Sequence, residues 1–235
     1  SVALNPLVNH DGHYEVNFTQ LEELARDPKT KIMLLCSPHN PVGRVWTREE
    51  LQRIGRICID NGVMVAVDEI HSDLVYAPNR HIPFASISRE FAEHCIVCTS
   101  PSKTFNLAGL VGAYHIIYDR KIRERMEKES SLCHYNDINI LSMYALLGAY
   151  QPEGYIWADE LRQVITGNVE YACDYIAQHF DGVEVFKPEG TYMLFADCSK
   201  WCEKHGKTRD EVEQAAWDVG VAIQDGRMFH GPCHL

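Results

Sequence analysis

The chain has 235 residues, 46% hydrophobic and 23% charged, and its 22 basic and 33 acidic side chains leave a net charge of −11. That length suits one α/β domain with a large core, or one domain and part of a second. An acidic chain without a basic block is a poor partner for nucleic acid or an anionic membrane surface, and no apolar run reaches the roughly 18 residues of a membrane span.

Strands and helices alternate through the first half. Thr19-x-x-Glu22 has the form of a capping box and predicts a helix over 19–27. KIMLLC (31–36) is a short, continuously apolar strand. A second box, Thr47-x-x-Glu50, opens a helix over 47–61 with Leu51, Ile54, Ile57 and Cys58 on one stripe, and Gly62 ends it. VMVAV (63–67) is a further buried strand, 93–99 leads into a third, and GAYHII (112–117) is a fourth. Apolar strands spaced by helices predict an α/β fold with a mainly parallel sheet covered by helices on both faces. The texture changes near Asn136. Residues 138–150 have a helical pattern, and 154–180 suit one long helix or two. Strands over 183–186 and 191–196 are expected to pair around Pro188-Glu189-Gly190. A helix over 209–219 and a strand over 221–224 complete a smaller α+β unit.

The opening SVALNPLVNHDGHYEV lacks the regions of a signal peptide. It starts without methionine in what looks like mid-strand, so a fragment is expected. The nine cysteines are odd in number. Cys36, Cys58, Cys95 and Cys98 lie in apolar contexts, which suits buried thiols in a reducing, cytoplasmic compartment. Cys95-x-x-Cys98 falls in a strand, where its two thiols face opposite sides. Cys198, Cys202 and His205 form a second cluster without a companion C-x-x-C. Neither has zinc spacing, and no metal site is expected.

Polar residues stand at three consecutive strand ends, where open parallel sheets bind ligands. SPHNPVG after the first strand holds Asn40. After the second come Asp68, Glu69, Ile70 and His71. TSPSK after the third holds Ser100, Ser102 and Lys103. Lys103 has three readings: a surface charge, the lysine of a serine-nucleophile S-x-x-K, or an amine that bonds a cofactor. The second needs S-D-N and K-T-G companions; Ser72-Asp73-Leu74 and Lys103-Thr104-Phe105 are not these. An amide, a carboxylate, hydroxyls and an amine together suit a ligand with a phosphate, a phenolic oxygen and a protonated ring nitrogen. Pyridoxal 5′-phosphate is such a ligand.

The segments IMLLCSPHNPVGRVWTREEL, VDEIHSDLVY, HIPFASI and TSPSKTFNLAGL resemble the fold-type I, pyridoxal-phosphate-dependent aminotransferase superfamily. Within it they are similar to the MalY/PatB group of carbon–sulfur β-lyases. The resemblance implies that Lys103 carries the cofactor and serves as the catalytic base at Cα. It implies that Asp68 pairs with the pyridinium nitrogen and Asn40 with the ring oxygen. Ser100 and Ser102 hold the phosphate, and His71 lies near the ring, where many of these aminotransferases have tyrosine. Residues 1–155 become the C-terminal part of the large cofactor-binding domain, and 156–235 a small domain truncated before its end. The implied reaction releases a thiol from Cβ of an L-cysteine-derived amino acid, leaving pyruvate and ammonia. An aminotransferase shares every residue named, and a non-catalytic regulatory protein is a third reading. The implied partners are an amino-acid substrate and, in the full-length protein, a second copy in a homodimer. The superfamily's carboxylate-binding arginine is expected beyond Leu235, with Arg227 too early to match. Glu69 and His81 are read as structural, and Met143, Tyr144 and Tyr150 as core or interface.

Overall fold

A computed structural model describes residues 2–10 and 12–235. The chain opens with a hairpin of β1 (Val8–His10) and β2 (His13–Glu15), followed by helix α1 (Phe18–Arg26). The expected Thr19 box does not form. Asn17 Oδ1 accepts the Gln20 N–H at 3.1 Å, so the helix starts at Phe18 and Thr19 lies inside it. A short amide side chain ahead of the first turn is as good a cap as a hydroxyl, and Asn17 comes first.

Next in chain order are β3 (Ile32–Cys36), α2 (Arg48–Asp60), β4 (Met64–Asp68), α3 (Arg89–Glu93), β5 (Cys95–Thr99) and β6 (Tyr114–Ile116). The Thr47 box forms as expected: Thr47 Oγ1 accepts the Glu50 N–H at 3.1 Å, and Glu50 Oε2 accepts the Thr47 N–H at 2.7 Å. Strands β3, β4 and β5 lie side by side and parallel, while β6 joins β5 antiparallel. The sheet is thus mainly parallel, as expected, with β6 reversed at its edge. A parallel return needs a crossover, usually a helix, and residues 100–113 supply only turns and one short 3-10 turn.

One sheet face carries Leu35, Val65, Val67, Cys95 and Val97 and packs on Trp46, Leu51, Ile54, Phe84 and Phe91. Fully burying a large apolar side chain contributes about 1.5–3 kcal/mol, so this core is the main force fixing the strand ends. The other face bears Ile32 and Leu34, which are 54% and 78% exposed. The cover from α1, α2 and α3 lies on the first of these faces.

The remaining elements are α4 (Arg120–Leu132), α5 (Ile140–Ala149), α6 (Pro152–His179), β7 (Glu184–Val185), β8 (Ala196–Asp197), α7 (Ser199–His205) and α8 (Arg209–Asp218). Helix α4 carries no sequence expectation; its apolar side is only Ile122 and Met126, one turn apart and half-buried, and it buries no residue fully. It is held by its Asp119 cap and by the Arg120–Glu124 pair one turn apart. Residues 152–179 form one helix. The paired strands β7 and β8 are shorter than predicted, because Thr191 is used elsewhere: it is buried and donates its N–H to the Leu74 carbonyl at 2.7 Å. Residues 221–224 form no strand. The place beside β8 goes to the last residues instead, with Ala196 and Leu235 exchanging backbone hydrogen bonds of 3.0 Å.

Candidate active site

Because β3, β4 and β5 are in register, Cys36, Asp68 and Cys98 form one row, with His115 of β6 beside Cys98. The loops bearing Asn40, His71 and Lys103 all leave from this edge. Asp68 is exposed, and its Oδ1 accepts the Ile70 N–H at 3.1 Å. A cavity of about 440 Å³ is lined by Cys36, Asp68, Ile70, Cys98, Ser100 and Ala113, among others.

Asn40 donates its backbone N–H to Cys36 Sγ at 3.4 Å, while its side-chain Oδ1 is enclosed without a hydrogen-bond partner. His71 is buried, and its Nδ1 is likewise enclosed and unpartnered. Its ring meets Tyr192 edge-on at 5.5 Å. Burial pushes the His71 pKa down to about 4; the Asp68 charge opposes this and the Lys103 charge adds to it. His71 is therefore neutral at pH 7 and lies in the fields of both Asp68 and Lys103. Lys103 itself makes no hydrogen bond or ion pair among the described residues. Buried Ser100 gives its hydroxyl proton to the Gly112 carbonyl and accepts the Ser102 N–H at 3.0 Å. Ser102 Oγ lies 2.7 Å from Ser100 Oγ. With the Ser100 proton on Gly112, the Ser102 hydroxyl is the donor across this pair, so Ser102 Oγ must turn away from Ser100 to donate to a ligand.

Several residues that hold these loops carried no sequence signal. Thr104 Oγ1 donates to Asp73 Oδ2 at 3.1 Å, which ties the lysine turn to the loop bearing His71. Arg162 of α6 donates to the Asp73 carbonyl at 3.0 Å. Buried Arg44 reaches Glu50 at 2.6 Å, His13 Nε2 at 2.8 Å and Glu189 at 3.8 Å. Glu189 Oε2 accepts the Val45 N–H at 2.7 Å, and the Tyr76 hydroxyl donates to the Thr191 carbonyl. The 188–191 turn thus clamps the Asn40 and His71 loops together. Gly43 makes the close approach possible: its φ is +73°, and a Cβ there would come within 2.3 Å of Pro188 Cβ.

Other residues singled out from the sequence lie elsewhere or serve packing. Glu69 Oε1 accepts the Phe84 N–H at 2.8 Å, and Glu69 Oε2 lies 3.2 Å from His81 Nε2, a buried structural pair. Arg227 is held by Asp225 at 2.6 Å and by Asp210 of α8 at 3.3 Å. Met143 and Tyr144 are exposed, whereas Tyr150 packs edge-on against Phe105 at 5.5 Å. Cys95 faces the core and Cys98 the open side.

The model of the family "Aminotransferase class I and II" matches residues 7–235. Cystathionine beta-lyase PatB of Bacillus subtilis is 36% identical over 228 residues, 97% of this chain and 58% of PatB. An aspartate aminotransferase of Bacillus sp. strain YM-2 is 30% identical, over 94% of this chain and 55% of its own length. The crystal structure of cystalysin from Treponema denticola, which contains pyridoxal 5′-phosphate, superposes with a TM-score of 0.89 at 32% identity. That match covers 97% of this chain and 57% of cystalysin. The chain spans a little over half the length of these relatives.

Proposed function

This chain belongs to the class I and II aminotransferase family, and from that premise we propose that it carries the cofactor-binding core of a carbon–sulfur β-lyase. The reaction breaks the Cβ–S bond of an L-cysteine-derived amino acid and yields a thiol, pyruvate and ammonia. The observation that carries the reading is the edge where three parallel strands end in register, with the Asp68 and Lys103 charges both acting on buried His71. The lyase is preferred over the aminotransferase because the lyase relative is closer in sequence, 36% against 30%.

The residues fit pyridoxal 5′-phosphate. Two enclosed polar atoms, Asn40 Oδ1 and His71 Nδ1, lack partners, and Lys103 is unengaged. In this reading Lys103 holds the cofactor, Asp68 its ring nitrogen, Asn40 its ring oxygen through its side-chain N–H, and Ser100 and Ser102 its phosphate, the Ser102 hydroxyl leaving Ser100 to donate. The bound cofactor supplies an electron sink for the charge left when the Cα proton departs.

The chain's own groups do the rest. Asp68, a carboxylate at a strand end, holds a proton on the ring nitrogen by opposite charge. Lys103 takes the Cα proton. Neutral His71 adds no second cation beside Lys103, so its ring offers a nitrogen and an apolar face. The Thr104–Asp73 bond limits how far the lysine turn can swing. The 188–191 clamp keeps Asn40 and His71 at their places before substrate arrives, which is the preorganisation that positioning requires. Residues 1–155 form the cofactor-binding part and 156–235 the small domain in this reading. The protein is cytoplasmic, in keeping with nine free thiols. It pairs as a homodimer through apolar side chains such as Leu141, Tyr144, Leu147 and Ile156, all exposed here.

Two measurements on the protein carrying this chain test the proposal. With an L-cysteine thioether, pyruvate, ammonia and thiol are expected in equal amounts; a keto acid that retains the sulfur, formed with a new amino acid from an added acceptor, assigns an aminotransferase. Lys103→Ala is expected to abolish turnover and the near-ultraviolet to visible absorbance of the lysine-bound cofactor. A variant that keeps both sinks the assignment of Lys103.

A further inference from the structure

The cluster that the sequence suggested around Cys198, Cys202 and His205 is built differently in the fold. His205 turns away, stacks on Trp201 at 4.2 Å and donates its Nδ1–H to the Trp201 carbonyl at 2.8 Å. Its place is taken by Cys233, 31 residues downstream of Cys202, whose Sγ lies 3.8 Å from Cys202 Sγ. The backbone fixes this approach from both sides. The Cys198 N–H donates to the Cys233 carbonyl at 2.9 Å, and Cys202 stands one helical turn on, with its N–H on the Cys198 carbonyl at 2.8 Å. The flanking segment is anchored as well. Leu235 is paired with Ala196, and buried His234 stacks on Phe195 at 4.3 Å and lies 3.1 Å from the Tyr14 hydroxyl.

We propose that Cys202 and Cys233 are a reversible dithiol pair, oxidised to a disulfide by hydroperoxides. The two sulfurs are already in contact, so closing the bond needs a side-chain adjustment and not a refolding of the segment. The two thiols differ in access: Cys233 is partly exposed, whereas Cys202 is buried. Burial also pushes the Cys202 thiol up to about 11, so it is the poorer first nucleophile. The Cys233 sulfur therefore attacks the peroxide first, breaking the O–O bond and releasing an alcohol or water while a sulfenic acid forms. The Cys202 sulfur then displaces the hydroxyl from Cys233; the S–S bond forms, and water leaves with the Cys202 proton. Two thiols lose two electrons and the peroxide gains them. The bond staples the 233–235 segment, which flanks β8, to α7. A thiol reductant reverses it.

The test treats the purified protein carrying this chain with stoichiometric hydrogen peroxide, alkylates the remaining thiols and maps peptides without reduction. The expected result is one cross-linked Cys202–Cys233 peptide, lighter by two hydrogens than its two free parts, restored by dithiothreitol. Cys198→Ser retains the link, and Cys233→Ser loses it while Cys202 stays alkylatable. The proposal is overturned if Cys202 and Cys233 are recovered separately alkylated, or oxidised without a link. It is equally overturned if Cys198 is the partner in the cross-link. The wild-type map alone decides this, whether or not either serine variant folds.

Discussion

Glu189 offers the sharpest test of how the site is held. Its Oε2 accepts the Val45 N–H at 2.7 Å and lies 3.8 Å from Arg44 Nε. Its own N–H donates to the Gly43 carbonyl, and its carbonyl accepts the Tyr76 N–H. Glu189→Gln leaves an oxygen to accept from Val45 and removes only the charge. The Glu189 side chain is 26% exposed, so water screens the pair and the expected loss is about 0.5–1 kcal/mol. Glu189→Ala also deprives Val45, which is buried, of its acceptor. An unpaired buried donor costs about 1–3 kcal/mol, so the alanine variant is expected to lose about 2–3 kcal/mol in all. The turn's backbone bonds survive in both, which makes the comparison clean. Urea unfolding of the purified protein at pH 7, followed by circular dichroism, measures both losses. Equal losses, or a glutamine variant weaker than the alanine one, would show that charge and not the Val45 bond holds the clamp.

Burial holds both His71 and His39 down to about 4 in the fold; part of His39 reaches the surface, but its Nδ1 is enclosed. Unfolded histidine titrates near 6.5. The unfolded chain therefore takes up protons first as pH falls, so stability is full above about pH 6.5 and declines from there toward pH 4. Urea midpoints measured across that range check the slope, and an NMR midpoint for His71 above 6 would refute its cause. Gly55 of α2 lies against Phe91, where an added Cβ would stand 2.1 Å from the ring. Gly55→Ala is expected to destabilise by about 1–3 kcal/mol despite better helix propensity; a neutral or raised thermal midpoint contradicts that packing.

The strand ends were legible because each is a short apolar run followed at once by polar residues. Strands of parallel sheets read as near-continuous apolar runs of this kind. IMLLC, VMVAV and CIVC thus led to Asn40, Asp68 and Lys103 directly. The direction of β6 was not legible, since an apolar triplet reads alike in either direction. Helix α4 escaped notice because its apolar side is only two residues long, Ile122 and Met126, in an otherwise charged run. The clamp was invisible for another reason: Glu189 and Val45 are 144 residues apart, and Arg162 and Asp73 are 89 apart. No local pattern marks such pairs. The signal that existed was Gly43 and Gly190, two glycines set where backbones approach closely.

The clamp also has a meaning in time. A ribosome makes the loops of Asn40, His71 and Lys103 well before it makes Thr191, at roughly 5–20 residues per second, so the Lys103 turn waits on the order of 4–18 s, and the Asn40 loop about 8–30 s, for the turn that locks them. During that interval β3, β4 and β5 can pair and bury their core, since their contacts span far shorter stretches of chain. The site's framework and its fastening are thus separate events in the life of each molecule. A stall between Lys103 and Thr191 would leave a formed sheet edge with unfastened loops.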